Sequence, residues 1–393
     1  MLKAAAVLFL VPVYLLAQGD ATKPLQNAAA LAAAGKYSEA EPILTRALAA
    51  EEANPTADHP LLVPILDALG AVYRAEGKID NVEATYLRVL QIVERSDGEN
   101  SVTLIPHLKL LAGAYVALTL PADAEKALLR AISIRQKTSD ASELDLANDY
   151  AELGSFYLAQ KRYAVAEPNF RRAIAIIEHK LGPEDAALIP LLDSLADVFI
   201  KQKIFPPAEQ PLRRVVWIQE RVVGPNDVKL APNLDRLALL LFEEKRYPEA
   251  ETLYRRSLAI WEPNMGPINP SLTTALDNLA VVLAAQMKFP EATPIYTRAL
   301  AIREKATVEN MNNVALVLQG KGDTDASEKN FTRALDLASE IPALPGDKSV
   351  GEKELLGKVL DNYVDMLKAL MRTEDAARVK ARWRPTVKTT ASK

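Results

Sequence analysis

The chain has 393 residues, of which 49% are apolar and 25% charged, a balance that suits a folded protein and not a disordered one. A formal net charge of -4 gives no electrostatic footprint for nucleic acid. There is no cysteine, and the three histidines are His59, His107 and His179. Disulfides, thiolate metal sites and a cysteine-linked lipid anchor are therefore excluded, and no two histidines are close enough in sequence to form a helical metal pair.

Residues 1–19 read as an export signal. Lys3 precedes an apolar run from Ala4 to Ala17, and the polar Gln18-Gly19-Asp20 follows, the order of segments in a secretory signal. The run is shorter than the roughly 20 residues that a membrane-spanning helix needs. Cleavage is expected after Gly19, with cleavage after Ala17 left open. This reading places the mature chain in the periplasm or outside a bacterial cell.

From residue 24 to residue 338 the sequence repeats itself. Leu69, Leu111, Leu153, Leu195, Leu237 and Leu279 are each 42 apart, and Arg46, Arg88, Arg130, Arg172, Arg214, Arg256 and Arg298 keep the same step. A period of roughly 20–50 residues implies stacked supersecondary units, each burying its apolar face against its neighbours. Within one repeat, Leu234, Leu237, Ala238 and Leu241 fall on helical spacing, Glu244-Lys245-Arg246-Tyr247 reads as a turn, and Ala250, Leu253, Tyr254, Leu258 and Ile260 resume a helix. The unit is a helical hairpin. Gly182-Pro183, Gly224-Pro225 and Gly266-Pro267 recur between hairpins, where Gly-Pro ends one helix and delays the next.

Small residues follow the repeated leucines (Gly70, Ala112, Gly154, Ala196, Ala238, Ala280), and second helices carry Ala40, Ala124, Ala166, Ala208, Ala250 and Ala292. They let two backbones approach while larger residues fill the holes around them. The expected fillers are Tyr73, Tyr115, Tyr157 and Phe199 on first helices, and Tyr86, Phe170, Tyr254, Tyr296 and Phe331 on second helices. The Arg series is accompanied by Glu41, Glu83, Glu125, Glu167, Glu209 and Glu251 five residues earlier, and by Glu52, Glu94, Glu178, Glu220, Glu262 and Glu304 six later. Neither step puts two charges side by side on one helix, so a ladder of ion pairs between neighbouring helices is expected.

The period then fails. Leu279 to Val314 is a step of 35, so the eighth hairpin has lost about two helical turns of connection. Residues 339–352, containing Ile341-Pro342-Ala343-Leu344-Pro345-Gly346, read as a linker. Residues 353–384 read as a capping helix pair, Leu355 to Met371 and Asp375 to Trp383, of the kind an array requires. The last residues, 385–393, read as a basic tail. With Arg378, Lys380, Arg382 and Arg384 before it, and Lys388 and Lys393 within it, weak contact with an anionic membrane surface is one reading and a solvated, frayed end the other.

The recurrent pattern of Leu-Gly/Ala, an aromatic, Gly-Lys-Tyr, Glu-Ala-Glu, a second aromatic and Arg-Ala-Leu resembles the tetratricopeptide repeat. The 42-residue period and the Gly-Pro connection are most similar to its kinesin-light-chain-like subgroup, over about Pro24 to Leu337. The resemblance implies an all-α solenoid, a right-handed superhelix of about eight hairpins closed by the capping pair. It further implies that first helices line a concave groove that binds peptide or protein segments. On that basis Asp67, Asp193, Asp235 and Asp277, with Lys109 at the equivalent place, are candidate peptide-binding residues, and Arg236 and Asn278 are candidates to hold a peptide backbone. The competing reading is that these carboxylates serve the dipoles of their own helices, at roughly 0.3–1 kcal/mol each. In the family's carboxylate clamp an Asn follows the groove Lys by one turn; here Gly113 follows Lys109, so free C-terminal carboxylates are not the expected ligand.

Trp217 and Trp261, late in second helices, are expected to pack against the following repeat. The histidines read as surface or capping residues. No nucleophile–base pair, phosphate loop or metal cluster is legible, so no catalytic residue and no cofactor is expected. The sequence thus points to a non-enzymatic scaffold outside the cytoplasm that binds a peptide or protein. The alternative is an envelope assembly or secretion component held at a membrane.

Overall fold

The computed structural model describes residues 23–53, 61–138, 142–340 and 351–383. The expected signal segment, His59 and the tail from residue 385 lie outside the described residues. Those residues form 17 α-helices and one short 3-10 turn, and no strand.

The helices come in hairpins: α1 (Lys23–Ala33) with α2 (Tyr37–Glu52), α3 (Leu62–Glu76) with α4 (Ile79–Asp97), α5 (Leu104–Ala117) with α6 (Pro121–Lys137), and α7 (Glu143–Ala159) with α8 (Tyr163–Leu181). They continue as α9 (Leu188–Lys201) with α10 (Pro206–Val223), and α11 (Ala231–Glu243) with α12 (Tyr247–Met265). Then follow α13 (Leu272–Ala285), α14 (Phe289–Gly320), α15 (Thr324–Glu340), α16 (Gly351–Ala369) and α17 (Thr373–Trp383). The chain divides into two compact units, residues 1–194 and 195–393, with the cut inside α9.

One turn geometry makes every hairpin. The N–H of the residue opening the second helix reaches back five residues, as in Lys78 to the Tyr73 carbonyl at 2.9 Å, Arg246 to Leu241 at 2.8 Å and Asp323 to Leu318 at 3.0 Å. That bond requires a left-handed residue just before it. Glycine supplies it at Gly35, Gly77 and Gly322, whereas Thr119, Lys161, Lys203, Lys245, Met287 and Met371 adopt φ of 58–62° without glycine's freedom. Inter-repeat connections use Gly98, Gly182, Gly224 and Gly266 at φ 84–96° with an extended ψ, a conformation essentially confined to glycine.

In the N-terminal unit the first junction shows how repeats stack. Leu44 of α2 is buried in one cluster with Leu69 and Val72 of α3, and Leu48 packs against it. Within a hairpin, small residues meet aromatic rings: a Cβ on Gly70 would stand 2.7 Å from the Tyr86 ring, and one on Gly154 3.0 Å from Phe170. The expected fillers Tyr86, Tyr157, Phe170, Phe199, Tyr254 and Phe331 are buried; Tyr73 and Tyr115 are half-buried.

Tyr296 departs from this rule, being 40% exposed. The reason lies in α14, which runs unbroken for 32 residues. The shortened connection is not a shorter loop but no loop: the second helix of the seventh hairpin continues as the first helix of the eighth. In the same C-terminal unit α14 pairs with α15, and α16 and α17 close the end. Phe331 stacks on Tyr363 at 5.3 Å in a cluster that includes Val359, Val364, Leu367 and Ala376, and the Ser327 hydroxyl donates to the Ala315 carbonyl at 2.8 Å.

Candidate binding face of the first helices

The aspartates singled out from the sequence lie deeper in their helices than a dipole argument needs. No acidic residue stands in the first turn of α3, α9, α11 or α13, and the dipole's effect fades beyond that turn. Each residue is half-buried, and side chains from neighbouring helices engage Asp67, Asp235 and Asp277.

Asp67 meets the buried His107 of α5, whose Nε2 lies 3.0 Å from Oδ1, while the Nδ1 of His107 is 2.9 Å from the Thr103 carbonyl. Both ring nitrogens face oxygen atoms, one of the Asp67 carboxylate and one of the Thr103 carbonyl. His107 is thus an interior partner, not the surface or capping residue expected. Forty-two residues on, the signs invert: Lys109 of α5 bonds Asp149 of α7 at 2.5 Å and Glu152 at 2.8 Å. Asp149 is buried and also takes the guanidinium of Arg135, so two cations offset the cost of burying one carboxylate. Burial works against the Lys109 ammonium, but its bonds to Asp149 and Glu152 outweigh that and raise its pKa.

In the C-terminal unit Asp235 accepts from Trp261 Nε1 at 3.3 Å. Burial pushes its carboxyl above the ordinary range, against the pull of Ser257 and Trp261. Asp277 is paired with Arg303 and Arg236 with Asp197. Asn278 follows Asp277, half-buried. Asp193, on α9, is likewise not free. Asp67, Lys109, Asp235, Arg236 and Asp277 therefore form fixed polar nodes between helices. Trp261 packs beside Leu272 and Leu276 of the next repeat as expected; Trp217 is 42% exposed, with Arg221 over its ring.

Two ion-pair ladders run beside these nodes. Arginines of the repeated series reach the glutamate 36 residues earlier, in Arg88–Glu52, Arg130–Glu94 at 2.6 Å, Arg256–Glu220 at 2.8 Å and Arg298–Glu262 at 2.5 Å. Several also donate to a carbonyl of the inter-repeat connection, as Arg298 does to Pro267 at 2.7 Å. The other glutamate series takes a different partner, the basic residue of the next hairpin turn: Lys78–Glu41, Arg162–Glu125, Arg246–Glu209 and Lys288–Glu251. Sequence spacing found the residues of both ladders but not their division.

One face was missed altogether. Leu239, Val281 and Leu316 are 49%, 40% and 40% exposed, each one turn beyond the polar pairs Asp235-Arg236, Asp277-Asn278 and Asn312-Asn313. The equivalent positions in earlier repeats are Ala71, Gly113, Ser155 and Asp197, so the enlargement to apolar side chains was there to be read. Among the described residues no group of His, Asp and Glu could hold a metal ion, and no helix is long and apolar enough to cross a membrane.

Two family models described as tetratricopeptide repeat match residues 150–187 and 230–305. This chain is a tetratricopeptide-repeat protein. Among solved structures, the tetratricopeptide array is similar to the apo form of RapI, at 15% identity over 93% of this chain and 97% of that chain, with a TM-score of 0.51. It is also similar to BtubC (BKLC) from P. vanneervenii, at 21% identity over 57% of this chain and 91% of that one, TM-score 0.46. A putative kinesin light chain from Podosopora anserina is 20% identical over 53% of this chain and 98% of that one, TM-score 0.45. At these identities the likeness is one of fold. No curated protein matches the tetratricopeptide chain significantly in sequence.

Proposed function

We propose that the protein is a non-enzymatic interaction scaffold that holds an extended peptide or protein segment along its first helices. The observation that carries this reading is the repeated pairing of an exposed apolar side chain with polar groups one turn before it, in Leu239, Val281 and Leu316. Apolar contacts at repeat spacing would supply affinity, and Asn278 and Asn313 would meet the segment's backbone. Because Asp235, Arg236 and Asp277 are already held by neighbours, the face is ordered before the ligand arrives, which lowers the entropic cost of binding.

Selection of displayed random peptides on the purified chain should yield binders whose affinity falls at least tenfold in Leu239→Asp and Val281→Asp. Binders indifferent to both substitutions, or no enriched peptide, would sink the reading. We place this activity outside the cytoplasm on the strength of Lys3, the apolar run and the Gly19 cleavage position. Mass analysis of the protein from an extracytoplasmic fraction should give a chain beginning at Asp20; a chain retaining Met1 in the cytoplasmic fraction would refute the location alone.

A further inference from the structure

We propose that two copies of this chain associate through α14, antiparallel, about a two-fold axis at Thr307. In the stacking junction of the N-terminal unit, Leu44 and Leu48 of one second helix pack with Leu69 and Val72 of the next first helix. The residues at these positions around the eighth hairpin are Tyr296, Leu300, Val314 and Val317. All four lie on α14, and they are 40%, 53%, 49% and 59% exposed, whereas Leu44, Leu69 and Val72 are at most 3% exposed.

Both sides of a stacking interface are therefore present and neither is covered. A continuous helix cannot fold back on itself, so the two sides cannot meet within the chain. They can meet between two chains. Phe289, Tyr296, Leu300, Thr307 and Val314 follow one another at steps of 7, 4, 7 and 7, the 3.5-residue period that keeps one face turned to a partner helix. Leu300 and Val314 each lie seven residues from Thr307, which is exposed. Two antiparallel α14 helices centred there set Leu300 of each against Val314 of the other, and Tyr296 against the Val317–Leu318 end. The contact is isologous and closed, made twice by one symmetry operation. It restores the α2–α3 type of junction in both copies. A second copy is the occupant because its α14 carries the first-helix side that this face lacks.

Analytical ultracentrifugation of the full chain should give twice the mass of one chain, and Leu300→Asp or Val314→Asp should weaken association at least tenfold with helical circular dichroism unchanged. Leu316→Asp, on the opposite side of α14, should leave the doubled mass intact. Because the chain has no cysteine, Thr307→Cys should oxidise to a disulfide-linked dimer on a non-reducing gel. In the double variant Leu300→Cys with Val314→Cys, cross-links should join two chains. A single-chain mass at tens of micromolar, a doubled mass indifferent to both aspartate substitutions, or a cross-link formed within one chain would each overturn the proposal.

Discussion

The junction of α2 with α3 and the stretch of α14 from Tyr296 to Val317 hold apolar residues at the same repeat positions and treat them oppositely. At the first, Leu44, Leu69 and Val72 are buried and Leu48 is half-buried; at the second, all four counterparts are open to solvent. Side-chain chemistry does not separate them, since leucine, tyrosine and valine bury apolar area readily in either place. Connection length does. Where 42 residues part equivalent positions, the next helix turns back and covers its predecessor; where 35 do, it continues straight.

Removing one filler from each place should give very different losses. Tyr86→Ala should cost about 3–5 kcal/mol, because Tyr86 is fully buried against Gly70 and its loss leaves a cavity. Tyr296→Ala should cost less than about 1 kcal/mol, measured below the concentration at which chains associate. Equal losses in chemical denaturation would mean that the α14 face is covered in the single chain after all. The converse change lengthens the connection: inserting a copy of residues 265–271 after Ala306 restores the 42-residue step. Leu300 and Val314 should then be buried, and amides around them should exchange with solvent at least tenfold more slowly. Unchanged exchange would show that connection length is not what keeps them apart.

This contrast also explains what could be read from the sequence. Hairpins, turns and stacking leucines were legible because each repeats, and repetition turns a weak local signal into a strong one. The missing seven residues were legible as well, but not their consequence, since Lys305-Ala306-Thr307 has no helix breaker and equally suits a turn of helix. The polar nodes were half legible. Asp67, Asp235 and Asp277 recur at fixed spacing, yet their partners, His107, Trp261 and Arg303, differ in chemistry and lie 26 or 40 residues away. Only packing reveals such pairs. Leu239, Val281 and Leu316 escaped for the opposite reason: an apolar residue on a helix reads as core until its exposure is known.

The ladders give a smaller effect with the same logic. Arg298 bonds Glu262 at 2.5 Å and the Pro267 carbonyl at 2.7 Å, tying one second helix to the second helix of the preceding repeat and to the connection that follows it. Arg298→Ala should cost about 1.5–3 kcal/mol, the range for hydrogen bonds to charged groups. Arg171, exposed and bonded only along its own helix to Glu167 at 2.8 Å, should cost about 0.5 kcal/mol or less when changed to Ala. Thermal denaturation of the two variants ranks them; an equal or reversed order would show that the link between repeats adds nothing to a pair within one helix.

Acid should expose the smallest difference, within the second ladder. Burial alone would raise the Glu251 carboxyl, but hydrogen bonds from Lys288, Arg255 and Gln286 outweigh it and carry its pKa from 4.5 to about 2. A carboxylate whose folded pKa is depressed binds fewer protons folded than unfolded in that window. Its contribution is therefore present above pH 4.5 and is lost as pH falls towards about 2. Glu251→Gln cannot titrate, so it should be less stable than the parent near neutrality, and its unfolding midpoint should fall less between those two pH values. The two curves should converge at the acid end. Parallel curves would mean that the Lys288 turn and Glu251 are neighbours without a measurable bond, and that the second ladder, unlike the first, does not hold one repeat to the next.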